Sequence, residues 1–185
     1  AHTIEQARAC QPQQIIVVIP PQQSEHFQQI IAQQCAPTIT PIIWIEQAQP
    51  QGTAHALTQA LHAITCDTTL VLYADTPLFP SEHLQALYQA TQKNHPTPMA
   101  GLIAMHTTNP HHYGRIIRNQ HGQFCAVKEF KDCTDREQHI QEINTGICLF
   151  PTTFLHQKLP LLSCHNQQQE YYLTDLFAIW QQTQP

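Results

Sequence analysis

The sequence predicts an α/β domain with a mainly parallel sheet, and three observations lead to this prediction. Its 185 residues are enough for one sizeable hydrophobic core and too few for two comfortable ones. In the first half, apolar runs alternate with segments whose apolar residues recur at helical spacing. The runs are unbroken, which is typical of strands covered on both faces. Right-handed crossovers would then join parallel strands through helices.

The first half of the chain divides into strands and helices in alternation. Strands are predicted at 15–19, 42–45 and 70–73 from their continuous apolar residues. Apolar residues three or four positions apart predict helices between them, and serines are the expected caps of two of these helices. In chain order the predicted helices are 3–9, the segment capped by Ser24, the segment 54–64 and the segment capped by Ser81.

The second half has a different pattern. Strand-like segments at 101–105, 114–118, 124–130 and 146–150 are separated by turns, so mixed or antiparallel strands are expected beside the parallel ones. Helices are predicted at 152–158 and 173–182. No internal repeat or linker interrupts the chain, and residues 1–185 are therefore interpreted as a single domain.

Composition excludes several classes of function. The formal net charge is −5, and the eight basic residues form no dense run, so nucleic-acid binding has no electrostatic basis. No apolar run approaches the thickness of a bilayer, and no membrane partner is expected. The seven cysteines are scattered and never form a C-x-x-C pair, which indicates reduced thiols in a cytoplasmic protein.

Thirteen histidines raise the question of a metal site. His111 and His112 are adjacent, as are Cys164 and His165, but neither pair has zinc-ligand spacing with a second pair in register. Surface histidines in a chain rich in glutamine and histidine are the preferred interpretation.

Two candidate binding segments follow predicted strands. In an open α/β sheet, ligands bind beyond the carboxyl ends of the strands. In the loop after the second strand, Gly52 would allow a ligand close to the backbone and Gln47 could read a base edge. Asp75 directly follows the third strand, where a carboxylate can hold Mg²⁺ while phosphates supply other ligands. Each segment alone is equally consistent with a plain turn or a helix cap.

A third candidate set comprises the segment 113–115, Glu129 and the segment 142–146, whose polar groups are suited to hydrogen-bonding a sugar. Glu129 lies between Lys128 and Lys131, so by itself it also fits a solvated surface charge, and Asn144 through Gly146 also fits a turn. The residues alone therefore predict an α/β domain that binds a phosphorylated ligand with Mg²⁺.

Taken in order, the motifs resemble the bacterial N-acetylglucosamine-1-phosphate uridyltransferases. The matching segments are 47–56, 72–78, 113–116, 127–132, 141–147 and 170–175. The resemblance implies a Rossmann-like nucleotidyltransferase domain, with a mixed, mostly parallel sheet flanked by helices and lacking its first strand. In that family this domain is the amino-terminal half of a bifunctional protein. The other half is a left-handed β-helix that acetylates glucosamine-1-phosphate and forms trimers.

The resemblance also implies a reaction and its partners. UMP passes from UTP to N-acetylglucosamine-1-phosphate, giving UDP-N-acetylglucosamine and pyrophosphate for cell-wall and lipopolysaccharide precursors, with Mg²⁺ as cofactor. One alternative is a related sugar-1-phosphate nucleotidyltransferase that uses dTTP or CTP, although the segment 142–146 argues against it. The other alternative is a non-catalytic module that binds nucleotide sugars.

The resemblance assigns site residues to three groups. The uridine side is formed by Gln47, Gly52 and Thr53. The phosphate side is formed by Tyr73, Ala74 and Asp75, and Asp75 is both the Mg²⁺ ligand and the catalytic residue. The sugar side is formed by Gly114, Glu129 and Asn144, with Tyr172 and Thr174 lining the same pocket.

The sequence also departs from the family pattern. The first strand and the Gly-rich loop with its Arg and Lys would precede Ala1, and a second Mg²⁺ ligand, an asparagine, would follow Pro185. Ala74 and Gln169 stand where the family usually has glycine. Without the first strand, two strand edges and an apolar gap would be exposed. We therefore expect these 185 residues alone to be inactive and poorly stable.

Overall fold

The computed structural model of the protein describes residues 1–35, 39–76, 78–92 and 98–183. Strands and helices alternate through the first half, as the apolar runs predict. The elements in chain order are α1 His2–Ala9, β1 Ile15–Ile19, α2 Ser24–Gln34, β2 Ile42–Glu46, α3 Thr53–Ala60, β3 Thr68–Val71 and α4 Ser81–Gln92.

The second half contributes mainly strands. In chain order its elements are β4 Gly101–His106, β5 Arg115–Arg118, β6 Phe124–Lys128, α5 Asp135–Gln138, β7 Glu142–Pro151, α6 Thr152–Lys158 and α7 Asp175–Thr183. Short 3-10 turns occur at 61–63, 130–132 and 159–161. Within the described ranges, no helix combines the length and apolar character that crossing a membrane requires.

Several element boundaries differ from the prediction. The strand predicted at 70–73 is β3 at Thr68–Val71, so Leu72 and Tyr73 lie beyond its end. Ser24 is the first residue of α2 and not its cap, since Gln23 occupies the cap position; the Ser24 hydroxyl accepts a hydrogen bond from Gln28 Nε2 at 3.0 Å. The turn expected at 144–146 is part of β7. Pro77 and Lys93 lie outside the described residues.

The strands form two sheets. β1 and β2 are a parallel pair, whereas β3, β4, β5 and β6 join β7 in a five-stranded sheet. β7 runs antiparallel to β3, β4 and β5, and β5 runs antiparallel to β6. The predicted mixed α/β architecture with flanking helices is confirmed. Among the described strands the parallel share is smaller than expected, because the long strand β7 returns against the direction of its three neighbours.

The two sheets are separated from each other between β1 and β3. Gln14 Nε2 donates to Ala63 O at 3.0 Å, and Thr65 Oγ1 donates to Gln14 Oε1 at 3.2 Å. These bonds join the residues just before the two strands, so β1 and β3 begin at the same end of the molecule. No ladder of backbone hydrogen bonds connects β1 to β3 in the described part of the chain. The described strands therefore form two separate sheets, and the opening lies between β1 and β3.

The hydrophobic core is divided in the same way as the sheets. A large cluster packs α3, α6 and α7 against the five-stranded sheet, with the Phe150 and Phe177 rings 4.8 Å apart. A second cluster places Leu84 of α4 against Leu149. A separate cluster on the β1–β2 side contains Ile15 and is packed by Trp44. Full burial of one such side chain contributes about 1.5–3 kcal/mol, so the larger clusters hold most of the apolar stabilisation.

The two tryptophans report separately on these layers, since Trp44 lies in β2 and the Trp180 ring in α7 is 4.9 Å from Phe154. We expect a Trp180→Phe variant, which retains Trp44, to show fluorescence changes at lower urea than a Trp44→Phe variant. The reason is that the β1–β2 layer has the smaller cluster and an unpaired edge. Coincident midpoints in urea titrations of the two variants would show instead that both sheets unfold as one unit.

Candidate active site

The loop between β2 and α3 is held against the segment before α7. Ala54 N donates to Tyr171 O at 2.9 Å, and Tyr171 N donates to Gln51 O at 2.8 Å. Gly52 lies between these bonds with φ +104°, where a Cβ would be 2.6 Å from Tyr171 O and 2.8 Å from Tyr171 N. Only glycine permits both this backbone conformation and this close approach. The contact places the predicted uridine loop beside Tyr172 and Thr174.

Thr53 and Tyr73 continue the contact toward the end of β3. Thr53 Oγ1 accepts a hydrogen bond from Leu173 N at 3.0 Å, and the Thr53 side chain lies near the Tyr73 hydroxyl, where it favours a lower pKa. Burial raises the pKa of Tyr73, and the hydroxyl remains a donor. The Tyr73 ring packs over Gly146, whose φ is +81° and where a Cβ would be 2.6 Å from the ring. Tyr73 thereby fixes the backbone that leads to Ala74 and Asp75.

The predicted sugar side is assembled from β5, β7 and the segment before α7. Asn144 N donates to Gly114 O at 2.8 Å, and Asn144 Oδ1 accepts from Gly146 N at 3.1 Å. A Cβ on Gly114 would lie 3.2 Å from Glu129 Oε2. Thr174 Oγ1 donates to Glu129 Oε1 at 2.9 Å. Because residue 174 follows residue 173, these contacts close a circuit with the Thr53 and Tyr73 contacts.

The sugar side is acidic. Burial raises the pKa of Glu129, although the hydrogen bond from Thr174 opposes the rise. Burial raises the pKa of Asp175 to about 6, with the negative charges of Glu129 and Asp132 adding to the effect. Such oxygens can accept hydrogen bonds from hydroxyl and amide groups but repel phosphate. The phosphates of a nucleotide sugar would therefore lie away from Glu129.

Tyr172 is buried beside these carboxylates, with 7% of its surface exposed. Among the described residues its hydroxyl makes no hydrogen bond of normal geometry, but burial raises the pKa of Tyr172, and the Asp132 carboxyl, whose Oδ2 is also unpaired, is close enough to add to the rise. An unpaired buried hydroxyl costs free energy, and a ligand hydroxyl or carbonyl could supply the missing partner. The role of Tyr172 in lining the sugar pocket stays a prediction, in which a ligand would compete with Asp132 for the hydroxyl.

Asp75 and Ala74 are exposed in the turn after β3. Across the described ranges, no three His, Cys, Asp or Glu side chains form a group that could hold a metal ion. A cation at Asp75 would take its remaining ligands from phosphates and water. This is the usual way in which proteins bind Mg²⁺, and the single exposed carboxylate fits it.

Arg115 was predicted only as part of the polar segment 113–115, and the structure shows that it organises the turn before Gly114. Its side chain is buried, with 1% of the residue surface exposed, and its guanidinium lies 5.3 Å from the centre of the Phe130 ring. It donates hydrogen bonds to the backbone oxygens of Pro110, His111, Tyr113 and Gln138. The segment that contains Arg115 was recognised from the sequence, but the burial of its side chain and its supporting role were not.

Gln47 lies outside the closed circuit. Its backbone N–H donates to Ile19 O at 2.9 Å, which places it where β1 and β2 both end. Its side-chain Nε2 is 2.8 Å from His55 Nδ1. His55 belongs to the matching segment 47–56, but its contact with Gln47 was not predicted, since only the fold brings a side chain of α3 against the end of β2. The structure thus unites Thr53, Tyr73, Gly114, Glu129, Asn144 and Thr174 directly, with Gln47 on the adjoining loop.

The bifunctional GlmU proteins are among the curated relatives of this sequence. The protein of Pseudomonas putida GB-1 is 39% identical over 178 residues, which cover 96% of this chain and 37% of that protein. The protein of Xanthomonas campestris pv. campestris B100 is 43% identical over 180 residues, with the same two shares. The chain thus spans 37% of the length of these relatives, and the predicted resemblance is confirmed.

A solved structure supports the fold independently. UDP-glucose pyrophosphorylase complexed with UDP-glucose superposes with a TM-score of 0.74, covering 99% of this chain and 74% of that one, at 14% identity. At that identity the similarity concerns the fold alone. The sequence also matches the nucleotidyl transferase family over residues 1–184. Because this match covers almost the whole chain, the protein belongs to the nucleotidyl transferase family.

Proposed function

We propose that the chain forms the binding site in which UMP is transferred from UTP to N-acetylglucosamine-1-phosphate, giving UDP-N-acetylglucosamine and pyrophosphate. The observation that supports this most is the closed circuit from Thr53 through Tyr73 and Asn144 to Glu129. It joins the loop suited to a base, the strand end suited to phosphates and the acidic pocket suited to a sugar. The relatives named bifunctional GlmU proteins are consistent with a reaction of this class.

The charges of the site orient the two substrates. The carboxylates of Glu129 and Asp175 accept hydrogen bonds from the hydroxyl and N-acetyl groups of the sugar and repel its phosphate. The phosphate is thereby directed toward the end of β3, where Asp75 is exposed. Bound at Asp75, Mg²⁺ would supply charge neutralisation for the triphosphate.

Transfer itself requires little covalent chemistry from the protein. A phosphate oxygen of the sugar-1-phosphate forms a bond to the α-phosphorus of UTP, and the bond from that phosphorus to the bridging oxygen of pyrophosphate breaks. The oxygen that attacks is already ionised, so no general base is needed. The residues of this chain act by holding both substrates in line, and positioning of this kind accounts for much of the acceleration in phosphoryl transfer.

Replacement of Asp75 with asparagine tests the proposal. In the full gene product we expect Asp75→Asn to lower Mg²⁺-dependent pyrophosphate release from UTP and N-acetylglucosamine-1-phosphate by about 100-fold or more, because the charged ligand is lost. The matched control is Asp67→Asn, an exposed carboxylate just before the opposite end of β3. The control should retain activity. Near-normal activity of Asp75→Asn would remove Asp75 from the metal role, and no pyrophosphate release by the unmodified protein would leave only nucleotide-sugar binding.

A further inference from the structure

His55 lies between two glutamine side chains. Its Nδ1 is 2.8 Å from Gln47 Nε2, and its Nε2 is 3.2 Å from Gln59 Nε2. Gln59 is one helical turn beyond His55 on α3, whereas Gln47 follows β2. All three side chains are partly buried, and the His55 ring lies 6.4 Å from that of Tyr171. The imidazole therefore connects the loop to the helix through both of its nitrogens.

A neutral imidazole carries one N–H donor and one acceptor nitrogen. With both nitrogens bonded to glutamine amides, one amide must present its NH₂ group and the other its carbonyl oxygen. A glutamine amide exchanges these two groups by a half-turn of its terminal torsion, so either arrangement fits the same positions of the heavy atoms. The orientation of the Gln59 amide consequently determines the orientation of the Gln47 amide.

The two arrangements present different atoms of Gln47 to a ligand. When Gln47 donates to His55 Nδ1, its Oε1 remains as an acceptor; when His55 Nδ1–H donates to Gln47 Oε1, the NH₂ group remains as a donor. In the described residues, His55 is the only side chain with a hydrogen bond to the Gln47 amide. In the arrangement in which the Gln47 amide nitrogen donates across the 2.8 Å contact, Oε1 is left for the ligand and the Gln59 carbonyl oxygen accepts from His55 Nε2–H.

We propose that Gln59, acting through His55, sets which atom Gln47 presents to the base and so which nucleotide the site accepts. The inference rests on the proposed function, in which Gln47 faces the base. Uracil carries an N–H donor at ring position 3 and needs an acceptor, whereas cytosine carries an acceptor there and needs a donor. Gln59 touches neither base nor phosphate in this arrangement. It is a positioning residue that determines specificity from one helical turn away.

Two substitutions at position 59 separate the arrangements. Gln59→Glu places only acceptors beside His55, which retains Nε2–H and leaves Oε1 of Gln47 free. Gln59→Lys places only donors there, so that His55 must carry its proton on Nδ1 and Gln47 must present its NH₂ group. Dissociation constants for UTP and CTP are compared at about pH 8.5, above the ordinary titration range of histidine. We expect the preference for UTP over CTP to persist in Gln59→Glu and to fall about 10-fold or more in Gln59→Lys.

Thr58→Lys is the control for charge, because it adds the same cation at a neighbouring exposed position of α3. Its UTP-to-CTP ratio should equal that of the unmodified protein. The tautomer of His55 is read independently from the nitrogen NMR resonances of the ¹⁵N-labelled ring. We expect Nε2 to carry the proton in the unmodified protein and in Gln59→Glu, and Nδ1 to carry it in Gln59→Lys.

The outcomes distinguish the inference from the function on which it rests. An unchanged tautomer in Gln59→Lys overturns the coupling between the two glutamines. A changed tautomer with an unchanged UTP-to-CTP ratio overturns the role of Gln47 as the reader of the base. Failure of the unmodified full gene product to bind either nucleotide overturns the proposed function itself, whatever the tautomer shows.

Discussion

Replacement of Gly52 with alanine is expected to destabilise the protein by about 3 kcal/mol. At φ +104° and ψ 175° an L residue is strained by about 1–3 kcal/mol, because this backbone region is essentially restricted to glycine. The new Cβ would also lie 2.6 Å and 2.8 Å from backbone atoms of Tyr171, which cannot move away as a flexible side chain could. Overpacking of this kind costs about 1–3 kcal/mol. The variant must therefore either lose this stability or separate the β2–α3 loop from residues 171–173.

Gly122 provides the matched control for this prediction. It also has positive φ, +76°, but a Cβ there would meet no atom within 4 Å. Gly122→Ala should therefore lose only the conformational contribution, about 1 kcal/mol. Urea unfolding followed by Trp180 fluorescence measures both variants. Equal losses at the two positions would show that the contact between Gly52 and Tyr171 contributes nothing to stability.

The Gly52→Ala substitution is expected to affect ligand binding more than it affects the stability of the protein. The bonds from Ala54 N to Tyr171 O and from Leu173 N to Thr53 Oγ1 hold the loop beside Thr174. If the β2–α3 loop separates from residues 171–173, the base side and the sugar side are no longer held at a fixed distance from each other. Affinity for a nucleotide sugar, which needs both sides, should then fall more than affinity for the nucleotide alone. Gly52 is thus required for the geometry of the site as well as for the turn.

Local sequence patterns were sufficient where a single element decides its own structure. The apolar run 15–19 is β1 with the predicted bounds, since continuous β-branched residues have no competing arrangement. The strand predicted at 70–73 was wrong at both ends, because β3 spans Thr68–Val71. Leu72 and Tyr73 continue its apolar character, but the strand stops at Val71 and the Tyr73 ring packs over Gly146. That contact joins distant parts of the chain, so local periodicity could not reveal it.

Gly146 also shows that a local sequence pattern cannot reveal a contact between distant parts of the chain. The sequence Asn144 through Gly146 is typical of a turn, and the structure makes it part of β7. Gly146 has a positive φ, but the chain does not reverse there. Instead, the Tyr73 ring occupies the space in which a Cβ would lie. A glycine in a strand indicates a close approach as often as a turn. The distinction depends on a neighbour that only the fold identifies.

The candidate site was found from the sequence only through the order of its motifs. Separately, Thr53, Glu129 and Asn144 each fit an ordinary cap, surface charge or turn. Their union in one circuit depends on residues far apart in the chain, as the bond from Thr174 to Glu129 illustrates. Residues that act through a contacting side chain, such as His55, can lie inside a matching segment without any indication of that role. Sequence patterns therefore identified the residues facing the pocket better than those supporting them.

The second large effect is expected at Arg115, because its buried side chain supports the sugar side of the site. We expect Arg115→Met to destabilise the protein by about 4 kcal/mol. Methionine fills a similar volume but removes the donor from the backbone oxygens of His111, Tyr113 and Gln138, whereas Pro110 O keeps its bond from Tyr113 N. Each hydrogen bond to a charged group contributes about 1.5–3 kcal/mol. Partial relaxation of the turn keeps the total below the full sum. Arg115→Lys should recover only part of the loss, since an ammonium group cannot reproduce the planar fork that reaches separate carbonyl groups.

Arg118 in the same strand is the appropriate control. It is 43% exposed in its side chain and pairs with Glu142 at 2.6 Å. Exposed ion pairs contribute little, so Arg118→Met should cost less than about 1 kcal/mol. Urea midpoints of the three variants test the stability order. Equal losses at positions 115 and 118 would contradict the role of the buried guanidinium.

The same substitution should alter ligand binding in a selective way. Arg115 fixes the turn that ends at Gly114, and Gly114 O holds Asn144 N at 2.8 Å. Loss of the guanidinium frees this turn without touching the loop that carries Gln47. Affinity for UDP-N-acetylglucosamine, measured by calorimetry below the unfolding range, should therefore fall more than affinity for UTP. A parallel fall in both affinities would mean that Arg115 stabilises the fold as a whole, and that the sugar side does not depend on this turn in particular.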